Sequence, residues 1–150
     1  MTGPLDGIRI IDLTAMISGP LATMMLADQG AEVIKVENPV GGDFTRSAAN
    51  RQGEMSALYL NNNRNKKSVA LNLKEQEGRD ALLRLVATAD VFVQNFRPGV
   101  IERMGLGEEQ LRRVAPNLIM VSISGFGDTG PYSERPVYDP LIQGLSGLAT

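Results

Sequence analysis

IRIIDLTAMISGPLATMMLADQGAEVIKVE, residues 8–37, is the stretch on which the fold turns. Its first six residues, IRIIDL, are a β-branched apolar run, and its last six, EVIKVE, set Val33 and Ile34 beside charged neighbours. Between them SGPLATMMLADQG, 18–30, reads as a helix, with Ser18 or Gly19 as its cap, Pro20 in its first turn and Gly30 at its end. Strand, helix and strand in so short a span make a βαβ unit. Such a unit requires a right-handed crossover and a parallel sheet.

The pattern continues outward. SVALNL (68–73) and DVFVQNF (90–96) read as strands around the helix 74–89, whose Ala81, Leu82, Leu85 and Val86 share one face. Two short helical pieces, 99–105 and 108–115, precede a fifth strand, LIMVSISGF (118–126). The expected class is α/β, an open, doubly wound parallel sheet with flanking helices. Residues 38–54 and 127–137 read as Gly-rich loops, and loops of such length in compact domains are often functional. A helix then starts at YDPL, with Asp139 at its cap and Pro140 in its first turn. The chain stops in or just after that helix, so residues 1–150 are expected to be the amino-terminal part of one α/β domain, incomplete at its carboxyl end.

Composition narrows the chemistry. The 150 residues, 43% hydrophobic, suffice for one core. A net charge of −2 gives no reason to expect nucleic acid. No apolar run of about 18 residues and no leader pattern occurs, so a soluble, cytoplasmic protein without membrane association is expected. Histidine and cysteine are both absent, which excludes Ser-His-Asp triads, Cys-His dyads and ordinary zinc sites, and no metal is expected. Chemistry must come from carboxylates, hydroxyls, lysine or the backbone.

Three constellations can be weighed. Glu37 ends the second strand where an acid would meet a ribose in a dinucleotide site. The turn TAMISGP carries no G-x-G-x-x-G, however, and Met16 and Ile17 would block pyrophosphate, so an ordinary βαβ unit with an exposed glutamate is favoured. The basic segment NNNRNKKS, 61–68, can simply solvate a loop through Arg64, Lys66 and Lys67. A second basic group, Arg97 and Arg103, shifts the balance. Lys74 and Arg97 both follow the carboxyl ends of strands, the edge where open α/β sheets bind ligands, and cations gathered there suit phosphate. Asn95 would add amide hydrogen bonds and Phe96 an aromatic face for a purine; the plainer readings are core packing for Phe96 and a helix-surface cation for Arg103. For Asp139 a helix cap outweighs catalysis, and Tyr138 is explicable as packing.

Taken in order, PLDGIRIIDLT, LADQGAEVIKVENPVGGDFTR, LNNNRNKKSVALNLK, ADVFVQNFRPGVIERMGL and VYDPLIQGLSGL resemble the class III coenzyme A transferases over nearly the whole chain. The resemblance implies an α/β domain within an interlocked homodimer, with acyl-CoA and a small carboxylic acid as substrates. It implies coenzyme A contacts at Ile17, Ser18, Asn38, Leu71, Asn72, Leu73, Lys74, Asn95, Phe96, Arg97, Arg103, Pro136, Val137, Tyr138 and Asp139. Tyr59, Tyr138 and Asp139 would support the acyl site. The family's nucleophilic aspartate would lie beyond Thr150, so no catalytic residue is assigned within this chain. Tyr138 stands where the related α-methylacyl-CoA racemases carry histidine, which favours transferase over racemase. Ile17 and Asn38 stand where some relatives carry glutamine and arginine. The alternatives left open are a non-catalytic coenzyme A-binding fragment and an NAD-type domain.

Overall fold

The computed structural model describes residues 3–48, 50–53 and 55–149. In chain order its elements are β1 (Arg9–Asp12), α1 (Ser18–Asp28), β2 (Glu32–Glu37), a 3-10 turn (Phe44–Arg46), β3 (Arg51–Gln52), β4 (Met55–Ser56), α2 (Ala57–Asn63), β5 (Lys66–Ala70), α3 (Gln76–Val86), β6 (Val91–Gln94), α4 (Val100–Arg103), α5 (Glu108–Val114), β7 (Ile119–Ser122) and α6 (Asp139–Ser146). Five strands form one parallel sheet in the order β5-β2-β1-β6-β7, the doubly wound arrangement expected. A separate antiparallel pair, β3 with β4, lies in the loop after β2.

Alternation along the strands divides the core between two faces. Ile11 and Phe92 point to one side, where Leu82 and Val86 of α3, Ile101 of α4 and Leu111 of α5 bury them. Ile10, Val33 and Val93 point to the other, beneath Ala27 of α1. That second face changes character toward the carboxyl ends of the strands. Asp12, Lys35 and Glu37 follow the apolar residues on the same side, and all three are buried. No helix among the described residues is long and apolar enough to cross a membrane.

Several boundaries differ from expectation. β5 starts at Lys66 rather than residue 68, because the Lys66 ammonium is held in the interior by Asp12 at 3.0 Å. β7 ends at Ser122, well short of residue 126. Helix α2 was hidden by its Asn-rich sequence; the Ser56 hydroxyl accepts from the Tyr59 N–H at 3.0 Å and starts it. The caps of α1 and α6 also fall one place early. Ile17 and Tyr138 occupy those positions without side-chain bonds, leaving Ser18 and Asp139 as the first helical residues.

Candidate functional site

In the observed strand order the chain runs outward from β1 to β2 and β5 on one side, and from β6 to β7 on the other. The crevice of such a sheet opens at its carboxyl edge between β1 and β6, where the strand order reverses. Two segments meet there: the β1–α1 turn, residues 13–17, and the corner after β6. Asn95 joins them. Its Oδ1 accepts from the Ala15 N–H at 2.9 Å, and its Nδ2 donates to the Ala15 carbonyl at 2.8 Å. The amide expected to face a nucleotide is therefore engaged within the protein. Phe96 likewise packs its ring against the core, so its plainer reading is the observed one.

Beneath the turn lies a buried ionic network. Asp12 Oδ1 accepts from the Thr14 N–H at 2.8 Å, while its Oδ2 accepts from Thr23 Oγ1 at 2.7 Å and from Lys66 Nζ. Lys35 Nζ donates to the Thr14 carbonyl at 2.7 Å and pairs with Asp43 at 3.0 Å; both side chains are 1% exposed. Asp43 Oδ1 accepts from the N–H groups of Met16, at 3.2 Å, and Thr45, at 3.0 Å. Burial pushes the Lys66 ammonium below its ordinary pKa against the pull of Asp12. Burial opposes ionisation of Asp43, but the Thr45 N–H and Lys35 outweigh it and hold the carboxyl below the usual range.

Glu37 extends the network toward β5. It accepts a two-pronged bond from Arg46 at 2.8 Å, and further bonds from the Tyr59 hydroxyl at 2.8 Å, Ser68 Oγ at 2.7 Å and the Asp43 N–H at 2.9 Å. Burial acts against its charge, yet these donors prevail and bring its pKa down to about 2. Burial and the neighbouring Glu37 push the Tyr59 phenol well above its ordinary value. One correction follows. Glu37 is not an exposed glutamate; nor is it free to meet a ribose, since its oxygens are saturated. The Tyr59 hydroxyl donates to Glu37.

The basic segment also reads differently in three dimensions. Arg64 pairs with Asp28, Lys66 with Asp12 and Lys67 with Glu32; the Lys66 side chain alone is buried, while the other two pairs lie at the surface. Lys74, Arg97 and Arg103 are exposed and have no ionic partner among the described residues. Three strand spacings separate β5 from β6, so Lys74 and Arg97 stand on the order of 14 Å apart along the edge. A ligand touching both must be extended. Arg97 borders a cavity of about 240 Å³ that Gln94, Gly99, Ser122 and Asp128 also line. Gly99 adopts φ +77°, so this corner needs glycine for its backbone, and the Arg103 guanidinium lies over it.

The remaining expected residues fall on the same edge in varied states. Ile17 and Ser18 are exposed at the start of α1. Asn38 is exposed, with its Oδ1 accepting from the Val40 N–H. Leu71 and Leu73 lean on the core, and Asn72 caps the Lys74 N–H at 3.2 Å. Pro136, Tyr138 and Asp139 are exposed beyond β7, and Val137 is half-buried against Gly125. Asp139 accepts from Gln143 within α6. Tyr59 is bonded to Glu37 at the end of β2, and Asp139 to Gln143 within α6. Sequence reasoning missed Asp12, Lys35 and Asp43. The available signal was polar residues at inward positions of apolar strands, IIDL and VIKVE, which demand partners.

The profile of CoA-transferase family III matches residues 5–150. Succinyl-CoA:glutarate CoA-transferase of Homo sapiens is 49% identical over 146 residues, covering 97% of this chain and 33% of the relative. Acetyl-CoA:oxalate CoA-transferase of Acetobacter aceti is 45% identical over 97% of this chain and 38% of its own length. The crystal structure of a CAIB/BAIF family protein from Brucella suis superposes with a TM-score of 0.92 at 43% identity, covering 98% of this chain and 40% of that one. The chain thus spans little more than a third of the length of these relatives.

Proposed function

This chain belongs to CoA-transferase family III, and from that premise we propose that the whole protein moves coenzyme A from an acyl-CoA to a small dicarboxylic acid. The observation that carries this reading is the row of Lys74, Arg97 and Arg103, unpaired among the described residues, flanking the crevice at the carboxyl edge. Their spread suits an elongated ligand with phosphates at one end, because charge-assisted bonds to phosphate are strong. Ile17, Ser18, Asn38, residues 71–74 and residues 136–139 extend the contact surface along that edge. The relatives named for succinyl, glutarate and oxalate substrates support a dicarboxylate acceptor.

The chemistry is covalent. An aspartate carboxylate beyond residue 150 attacks the donor thioester and expels the coenzyme A thiolate, leaving a mixed anhydride. The thiolate attacks the aspartyl carbonyl, releasing the donor acid and leaving an aspartyl-CoA thioester. The acceptor carboxylate attacks that thioester, forming a second anhydride, and the returning thiolate takes the acceptor acyl group and frees the aspartate. Donor and acceptor are both acids, so no proton is consumed overall. The 150 residues alone bind coenzyme A without turnover, and the whole protein is an interlocked homodimer that covers the exposed Leu141 and Leu145 of α6 and Leu148 just after it.

The test uses the full-length protein with succinyl-CoA or acetyl-CoA and a panel of isotope-labelled dicarboxylic acids. Label should appear in acyl-CoA, and hydroxylamine should trap an aspartyl adduct. No exchange and no adduct across the panel overturns the proposal.

A further inference from the structure

We infer that Lys35 and Asp43 are positioning residues, a buried ion pair that fixes the β1–α1 turn and thereby presents Ile17 and Ser18 to coenzyme A. This inference rests on the proposed coenzyme A site and adds a part to it. The turn is held almost wholly by side chains. Thr14 N–H is bound by Asp12 at 2.8 Å and its carbonyl by Lys35 at 2.7 Å. Both backbone groups of Ala15 are bound by Asn95, and the Met16 N–H by Asp43 at 3.2 Å. The two residues that follow, Ile17 and Ser18, are exposed at the crevice.

Stability alone is a poor account of this arrangement. A buried ion pair is commonly no better for stability than an apolar pair of similar volume. What the charged pair supplies is direction, since its two polar ends grip residues 14 and 16 of a single turn. Met16 shows that the grip matters. Its φ of +72° is left-handed, a conformation that L-residues with a Cβ rarely adopt unaided. Asp43 holds the Met16 N–H while its other oxygen takes Lys35, and its place beside the 3-10 turn Phe44–Arg46 ties the β1–α1 turn to the long loop after β2.

The experiment uses the full-length protein and the double variant Lys35→Met/Asp43→Leu, which removes both charges together and leaves neither orphaned. The fold should persist, judged by a cooperative thermal transition, while KM for the acyl-CoA donor rises about tenfold with kcat changed less than about threefold. Adding Met16→Gly, which takes the left-handed φ without a tether, should recover most of that KM. An unchanged KM in the folded double variant overturns the inference. So does a raised KM that Met16→Gly fails to recover, because that outcome describes a general loosening. Hydrogen exchange on the unliganded wild type tests the same point should the double variant not fold. The Ala15 and Met16 amides should be protected, and exchange at open-loop rates overturns the inference. Absence of acyl-CoA turnover in the wild type would count against the proposed function, while the exchange result would still decide whether the turn is held.

Discussion

Glu37 has the most extensively satisfied carboxylate in the site, and its protonation is a measurable property. Its pKa of about 2 lies below the ordinary 4.5, so in acid the unfolded chain takes up this proton before the folded one. The associated stability is fully present above pH 4.5 and is lost as pH falls toward 2, an effect on the order of 3 kcal/mol. Urea denaturation from pH 7 to pH 2 should show that decline. Glu37→Gln should be less stable than wild type at pH 7 by a similar amount, and should approach it near pH 2. Parallel stability curves for the two proteins would contradict this assignment. The same residue shows the limit of sequence reading: its position at the end of β2 was legible, but its five donors come from four residues, 43, 46, 59 and 68, which only the fold brings together.

At the scale of elements, α2 was the least legible part of the chain. Three successive asparagines disfavour a helix, and propensity alone predicts a loop. What overrides it is the start supplied by Ser56, whose hydroxyl accepts from the Tyr59 N–H and also donates to the Thr45 carbonyl. Ser56→Ala should therefore cost about 1–2 kcal/mol, more than an exposed cap, because the Thr45 carbonyl also loses its hydroxyl donor and keeps only the longer bond, 3.3 Å, from the Ala48 N–H. Chemical denaturation measures this directly, and a loss within about 0.5 kcal/mol would mean that the cap does not hold the helix. By contrast, the βαβ unit was plain from the sequence, since β1 lies in an apolar run, β2 carries Val33, Ile34 and Val36, and α1 has Pro20 in its first turn and ends just before Gly30. Close packing sharpens that crossover: a Cβ on Gly19 would collide with the Thr14 side chain, so α1 sits directly upon the turn it leaves.

For the whole molecule, the rim charges predict how a ligand is felt in solution. Lys74, Arg97 and Arg103 are exposed, so their attraction for an anionic ligand is screened by salt. Coenzyme A affinity should fall as salt rises. Arg97→Gln and Arg103→Gln should each weaken binding by roughly three- to thirtyfold, about 0.7–2 kcal/mol, and should flatten the salt dependence. Calorimetry at several salt concentrations checks both effects, and salt-independent binding would remove the rim from the ligand's path. This edge was legible from the sequence only in outline. The cations after β5 and β6 stood out, whereas the engagement of Asn95 and Tyr59 inside the protein depends on pairings across the sheet.

Asp12, Lys35, Asp43 and Asn95 reach residues 14–16 from three strands' ends and one loop. On the ribosome, that bend lacks its last support until residue 95 has emerged and β6 has docked. A nascent chain released any earlier leaves Ala15 untethered, so the crevice is completed late whatever helices have already formed.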